Sequence, residues 1–446
     1  MKTNTKEAAL LATLCFLVLM GVSNALLFNV ALPSVIKDLN ISATKASLII
    51  TCYTCIISIG ALIYGKLSEK FQIRTLFLVG IVLFVSGSVL GYLTHEYSFL
   101  IAARVIQASG GSAFIPLSMI TINHYLKAAN KKTGLTLISS MIALGSGTGF
   151  LIGGVITTYF GWHSLFLIML IIAFAFLGIY TFMPAAYIKE DHSQQHFDAV
   201  GAIILIILIV SFLLAISLNL WLFIVTLLMI LVMNAYAKGN RVNPFVDLHT
   251  LSLKPFQRLL LVSFLNSASM VAALYLFPLL LTRNYSVTPV VIGSILFAAA
   301  LVSVGISFLA GRLLRTWSSK RLISIFTCVS IAGFVLMSGG TERSLTLLVL
   351  ALLCIYIGYS AIQVGLNHSV PQVIPVSKSA AGFGLYNMIN FVGMAFGPAL
   401  ASRMLSLHSE YWTIFLVFAA LLAMNLLFMR KNRATVQLTG AEDSSL

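Results

Sequence analysis

The chain is 446 residues long, 59% hydrophobic and only 9% charged, with 27 Lys and Arg against 12 Asp and Glu for a net charge of +15. Soluble domains carry about 25% charged residues, so composition excludes an ordinary soluble fold. The basic balance invites nucleic acid as a partner, but its distribution along the chain assigns it to membrane topology instead.

A bilayer core about 30 Å thick needs about 20 apolar residues per crossing helix. Fourteen apolar stretches have about that length: 8–33, 47–65, 75–94, 99–123, 134–158, 163–185, 199–217, 219–236, 259–281, 290–310, 322–339, 345–366, 380–402 and 411–429. The first is long and follows Lys2 and Lys6, so it reads as an uncleaved signal anchor. The second contains Cys52-Tyr53-Thr54-Cys55, which has redox spacing; its place in an apolar span favours buried packing instead. The fourth holds Arg104, the only Lys or Arg well inside a span. The seventh and eighth meet at Ser217-Leu218-Asn219. Strands of a barrel would be shorter and would alternate, so the expected fold class is an all-α integral membrane protein with 14 transmembrane helices. None of the 12 Asp and Glu residues lies inside a span. With the N-terminus inside, the inner segments hold 21 of the 27 Lys and Arg, the outer segments hold five (Lys37, Lys45, Arg283, Arg343 and Arg403), and Arg104 remains. That asymmetry predicts both termini in the cytoplasm and a multi-pass cell-membrane protein, with the basic side facing an anionic leaflet.

The chain repeats itself. Gly65-Lys66-Leu67, with Arg74 nine residues after the glycine, matches Gly311-Arg312-Leu313, with Lys320 at the same offset. Gly134, Gly145 and Gly149 are spaced as Gly382, Gly393 and Gly397 are. Two six-helix bundles related by duplication follow, 1–190 and 241–446, with the hairpin of 191–240 inserted between them. Duplicated halves usually hold a site at their interface near the bilayer midplane.

Several motifs carry a family resemblance. They are Gly65-Lys66-Leu67-Ser68-Glu69-Lys70-Phe71-Gln72-Ile73-Arg74, Arg104-Val105-Ile106-Gln107-Ala108-Ser109-Gly110-Gly111 and Asn29-Val30-Ala31-Leu32-Pro33. Phe197-Asp198-Ala199-Val200-Gly201 and Asn243-Pro244-Phe245-Val246-Asp247 flank the inserted hairpin. Together they resemble the major facilitator superfamily, in particular its fourteen-helix drug:proton antiporter branch, and are similar to the Gram-positive tetracycline and multidrug exporters. The resemblance implies alternating access, export and proton coupling, with Gly65, Glu69 and Arg74 forming a conformational latch. The departures are local. The acid expected shortly before Asn29 is replaced by Asn24-Ala25. The helix-5 motif reads Gly145-Ser146-Gly147-Thr148-Gly149-Phe150-Leu151-Ile152-Gly153-Gly154, with Phe150 for the expected Pro and Ser146 where the tetracycline exporters look to have an acid. Phe396 stands at another such position, although Gly397-Pro398 is kept.

Candidate functional residues follow. Arg104 either faces a cavity and holds an anionic group, or is satisfied by Asn24, Asn29, Gln107 and carbonyls and braces the bundle. Gly145, Gly149 and Gly153 lie on one helix face and allow close approach, and Gly397 and Pro398 mark the equivalent place in the second half. Asn266, Gln363, Asn387 and Asn390, with Ser267, Asn367, Tyr275, Tyr356, Tyr359 and Tyr386, suggest a neutral, hydrogen-bonding, aromatic-lined cavity. His124 and His368 end their spans and are either proton carriers or polar interfacial caps. No nucleotide-binding motif, metal-ligand cluster or Ser-His-Asp arrangement is found, so the chain is expected to be no enzyme, to need no cofactor or metal, and to drive transport by gradients. The leading expectation is a monomeric secondary exporter of small amphipathic neutral or anionic molecules, since cation selection normally uses a carboxylate. Its partners are the substrate, the bilayer and protons, with no nucleic acid. Siderophore-like chelators, fatty acids and tetracycline-type chelates are candidate substrates. The alternatives are an uncoupled facilitator or flippase, and a non-transporting receptor, against which the short tail after Arg433 argues.

Overall fold

A computed structural model describes residues 5–184, 198–217, 219–238, 251–341, 344–374, 379–407 and 410–430. Lys189, Phe197, Leu218, the 243–247 motif, Arg343, Lys378 and the tail after Arg433 lie outside the described residues. The described chain is helical and turns at each apolar break. The helices are α1 (Thr5–Asp38), α2 (Ala43–Leu67), α3 (Ile73–Leu93), α4 (Tyr97–Tyr125), α5 (Ala128–Phe160), α6 (Ser164–Phe182) and α7 (Ala199–Ser217). They continue as α8 (Leu222–Lys238), α9 (Lys254–Tyr285), α10 (Pro289–Leu313), α11 (Ser319–Gly340), α12 (Leu345–Val373), α13 (Ser379–Ser406) and α14 (Tyr411–Arg430). Thirteen are long and apolar enough to cross a membrane, and Leu222–Tyr236 of α8 is apolar but shorter. The face on which α1 starts and α14 ends is called here the terminal face, and the opposite one the distal face.

Several helices outrun their apolar stretches. The spans 134–158 and 345–366 become α5 and α12, of 33 and 29 residues. At 1.5 Å per residue these exceed a 30 Å core by about 14–20 Å, because polar residues such as Lys131 and Lys132 remain good helix formers once outside lipid. Two spans are interrupted. α4 breaks at Ser112-Ala113, just after Gly110, whose missing side chain lets it press on the backbone of Gly80 and Phe84 in α3. α6 tightens into a 3-10 turn over Leu170–Ile172.

Glycines at matching spacings make matching contacts. A Cβ placed on Gly145, Gly149 or Gly153 of α5 would lie 2.8, 2.6 or 2.5 Å from the carbonyl oxygen of Leu19, Ser23 or Leu27 in α1. In the second half, Gly393 and Gly397 of α13 press in the same way on the carbonyls of Phe264 and Ala268 in α9. Each half therefore has a backbone-to-backbone contact at the corresponding place, α5 on α1 and α13 on α9. One apolar core belongs to the first half and includes Leu14, Phe28, Phe77, Phe84 and Phe166. Another joins the terminal side of the second half to α7. A third, toward the distal face, takes residues from both halves: Val30, Ile50 and Phe150 pack in one cluster with Met270, Phe277, Ile292 and Leu296. The distal side is thereby sealed.

The distal connections of the first half are tied together. Trp162 Nε1 donates to Asp38 Oδ2 at 2.8 Å, and His163 stacks on Trp162 at 3.6 Å and lies 5.0 Å from the His95 ring. Burial and the neighbouring His95 pull the pKa of His163 below its ordinary value, against the opposing pull of the Thr94 carbonyl and Asp38.

Two outcomes are expected in detergent. Gly149→Val should lower the thermal unfolding temperature, since overpacking of this kind costs about 1–3 kcal/mol, whereas Gly305→Val, which meets nothing within 4 Å, should not. Because the unfolded chain takes up the His163 proton before the folded one does, its contribution is complete above about pH 6.5 and declines below it. The unfolding temperature should therefore fall on acidification through that range, and His163→Gln should reduce the fall.

Candidate functional site

Arg104 sits on α4 with no exposed surface. Its guanidinium carbon lies 4.2 Å from the ring centre of Phe28 on α1 and 3.9 Å from that of Tyr53 on α2, within the range where a ring quadrupole attracts a cation. Nη1 donates to Gln107 Oε1 at 2.7 Å, and Gln107 Nε2 donates to Ser88 Oγ at 2.8 Å. Asn24 Nδ2 donates to the Tyr53 hydroxyl at 2.9 Å, and Asn29 Nδ2 donates to Leu26 O at 3.0 Å. Nε and Nη2 of Arg104 and the Oδ1 atoms of Asn24 and Asn29 are buried without a hydrogen-bond partner. Pro33 has no N–H to offer the Asn29 carbonyl four residues earlier, which leaves that part of α1 more polar still. The structure thus places Gln107 on Arg104 and Asn24 on the neighbouring Tyr53, adds Phe28 and Ser88, and leaves Asn29 bonded within α1. In this state Arg104 is enclosed within the first half.

A second group lies on α9, α12 and α13. Tyr386 donates its hydroxyl hydrogen to Gln363 Oε1 at 2.9 Å, and Gln363 Nε2 lies 3.2 Å from the Tyr359 hydroxyl and 3.4 Å from Ser267 Oγ. Asn390 Nδ2 donates to Ser263 Oγ at 3.0 Å, and Asn266 Nδ2 reaches Tyr359 O at 3.5 Å. The network is uncharged and partly open: Gln363 and Tyr359 are half-buried, while Asn390 and Tyr386 are buried. Asn387 is exposed and Tyr275 is committed elsewhere, bonding Ala43 O across the two halves at 2.7 Å.

The expected latch residues sit differently from the resemblance. Arg74 Nη2 donates to Tyr180 O at 2.7 Å and stacks on the Tyr180 ring at 4.4 Å, so it is held by α6 of its own half. Glu69 is exposed at the terminal face. His124 is exposed at the end of α4; His368, exposed on α12, has Nδ1 2.9 Å from Ser319 Oγ and 3.1 Å from Gln372 Nε2. Cys52 and Cys55 are free thiols. An apolar cleft of about 370 Å³ between α10 and α12, lined by Val291, Ile295, Ala298 and Leu353, lies away from both polar groups on the distal outer surface.

Polar side chains enclosed among helices long and apolar enough to cross a bilayer define a polytopic helical membrane protein. Residues 11–240 and 259–444 match the Major Facilitator Superfamily, and the chain belongs to it. By that membership it is a membrane transport protein; among the described residues no group of three His, Cys, Asp or Glu could hold a metal ion. The chain is 25% identical over 409 residues to the riboflavin transporter RibZ of Clostridioides difficile, covering 90% of this chain and 89% of that one. It is 25% identical over 431 residues to the uncharacterized MFS-type transporter YvkA of Bacillus subtilis, covering 94% of each. Among solved structures it is similar to the nucleoside transporter NupG, at a TM-score of 0.70 and 13% identity over 96% of this chain and 99% of that one. It is also similar to the human organic anion transporter MFSD10, at a TM-score of 0.60 and 16% identity over 94% of this chain and 96% of that one.

Removing the Tyr53 hydroxyl tests the first-half group. Tyr53→Phe keeps the ring beside Arg104 but strands Asn24 Nδ2, which should cost about 1–3 kcal/mol and lower the thermal unfolding temperature. Tyr53→Leu, which also removes the ring, should lower it further.

Proposed function

We propose that the protein is a secondary transporter that exports small amphipathic molecules, neutral or anionic, from the cytoplasm by alternating access between the bundles of 1–190 and 241–446. The observation that carries this is chemical. Among the described residues, the membrane-embedded polar groups are hydroxyls, amides and one guanidinium, with no carboxylate inside a span. Such a lining offers hydrogen bonds and a counter-charge to an anion but no counter-charge to a cation. The names of two similar proteins, a riboflavin transporter and an organic anion transporter, agree in substrate chemistry. The excess of Lys and Arg at the terminal face supports a cytoplasmic location for both termini. Substrate contacts are assigned to Gln363, Asn390, Asn266 and Tyr386, with Arg104 acting once rocking uncovers it. Export and proton coupling rest on the likeness to the antiporter branch, and His124 and His368 are the remaining candidate carriers.

Uptake of riboflavin, and separately of the cation ethidium, into inverted vesicles tests the reading. Riboflavin or another neutral or anionic amphipath should accumulate and ethidium should not. Gln363→Ala, which removes several hydrogen bonds worth about 0.5–1.5 kcal/mol each, should cut the initial rate about tenfold. Accumulation of ethidium alone would overturn the assignment of substrate class. An imposed pH gradient should accelerate uptake. A rate independent of it would favour the uncoupled facilitator.

A further inference from the structure

Two short connections at the distal face of the first half bring a pair of histidines together. The α3–α4 connection is Thr94-His95-Glu96. It is held at both ends: Thr94 N donates to Leu90 O at 3.1 Å, Glu96 N donates to Thr94 Oγ1 at 3.2 Å, and the Tyr97 hydroxyl donates to Lys45 O at 2.8 Å. The α5–α6 connection is Gly161-Trp162-His163. Gly161 takes a φ of 80° there, which glycine enters without strain, and the turn it makes leads into the buried Trp162. Gly91, near the end of α3, leaves room for the Phe166 ring of α6, and so sets the two connections side by side.

The His95 and His163 rings are 5.0 Å apart, centre to centre, and tilted by 36° rather than stacked. His163 Nε2 lies 3.1 Å from the Thr94 carbonyl oxygen. A carbonyl only accepts, so in the neutral ring Nε2 carries the hydrogen and Nδ1 carries the lone pair. That is the arrangement of a metal-binding histidine, whose second nitrogen usually bonds a carbonyl or carboxylate. Trp162 stacks on the same ring at 3.6 Å, and its own Nε1 is anchored on Asp38, so the ring is held in place. His95 is exposed and makes no hydrogen bond among the described residues. With Zn–N bonds of about 2.0–2.1 Å and a tetrahedral angle, two imidazoles sharing one ion have centres roughly 5 Å apart. The observed separation matches. Asp38 forms no group of three with the two rings, but it lies close enough to His163 to act as a counter-charge.

We propose that His95 and His163 form a site for a divalent cation that favours imidazole, of which zinc is the type, with water completing its coordination. Imidazole suits zinc, copper and nickel, whereas magnesium and calcium take oxygen donors. His163 Nδ1 supplies one bond and the His95 ring the other. Two protein ligands make the site exchangeable rather than structural, since structural zinc sites use four. The ion bridges the α3–α4 and α5–α6 connections. Both belong to the first half, so it staples that half at its distal face and leaves the contacts between the halves alone. The site does not rest on the transport reading above.

The test titrates the full chain in detergent with zinc chloride by isothermal calorimetry, above about pH 7, where imidazole is neutral. The unsubstituted protein should bind zinc at a single site. His95→Ala and His163→Gln should each weaken that binding by about tenfold or more, since even the outer partners of a metal ligand are worth about 10–100-fold. His124→Ala and His368→Ala, at the opposite face, should leave it unchanged, and magnesium should not bind there. Zinc should also raise the thermal unfolding temperature of the unsubstituted protein, because it binds the folded chain, and should not raise that of His95→Ala. His95 is exposed, so its loss does not threaten folding, and the unfolding temperature without zinc checks this. Zinc binding that persists in both His95→Ala and His163→Gln would overturn the proposal. So would equal weakening by all four substitutions, or no zinc binding by the unsubstituted protein.

Discussion

In each half the approach of α5 to α1 and of α13 to α9 brings two helix backbones together. Helices in hydrocarbon gain nothing from hiding apolar side chains from lipid tails, so they associate where backbones can come near enough for dense dispersion contact. Gly145, Gly149 and Gly153 provide that nearness in one half, and Gly393 and Gly397 in the other. The consequence is positional. α5 and α13 are fixed to the first helix of their own half on one side and present their other side to the opposite half, which is where α10 and α2 meet them.

The buried Arg104 shows a different economy. An unpaired cation at this depth costs roughly 2.5–3.5 kcal/mol on insertion scales, and the usual remedy is a carboxylate. Here a glutamine and two ring faces take that role. Rings attract the cation without accepting a proton, so the site is electrostatically supported yet cannot itself carry protons through Asp or Glu chemistry.

The fold was legible in the sequence because bilayer thickness imposes a length on each crossing and the duplication copied its glycines. The fourteen helical stretches and the paired glycine spacings could be read from residue order. Helix ends could not, since a helix continues past the lipid as far as propensity allows, as at Ala128 and Val373. The site was legible in part. Arg104, Gln107, Asn24, Gln363 and Asn390 stand out as polar residues in apolar runs. Phe28 and Tyr53 do not, because an aromatic in a membrane span is unremarkable until its ring is found beside a charge. The flanking Cys52 and Cys55 drew attention to the right turn of α2 for another reason. The partner of Arg74 was also out of reach of sequence reasoning, since it is a backbone carbonyl, that of Tyr180, and any residue type supplies one.

The distal seal has a character set by what it lacks. Val30, Ile50, Phe150, Met270, Phe277 and Leu296 close that side by apolar burial across the halves, with the Tyr275 to Ala43 hydrogen bond at its edge. A closure held by burial is indifferent to ionic strength, unlike one held by ion pairs. It also weakens on cooling, because apolar burial loses its driving force in the cold. Separating those side chains is therefore a cost that temperature changes more than salt does.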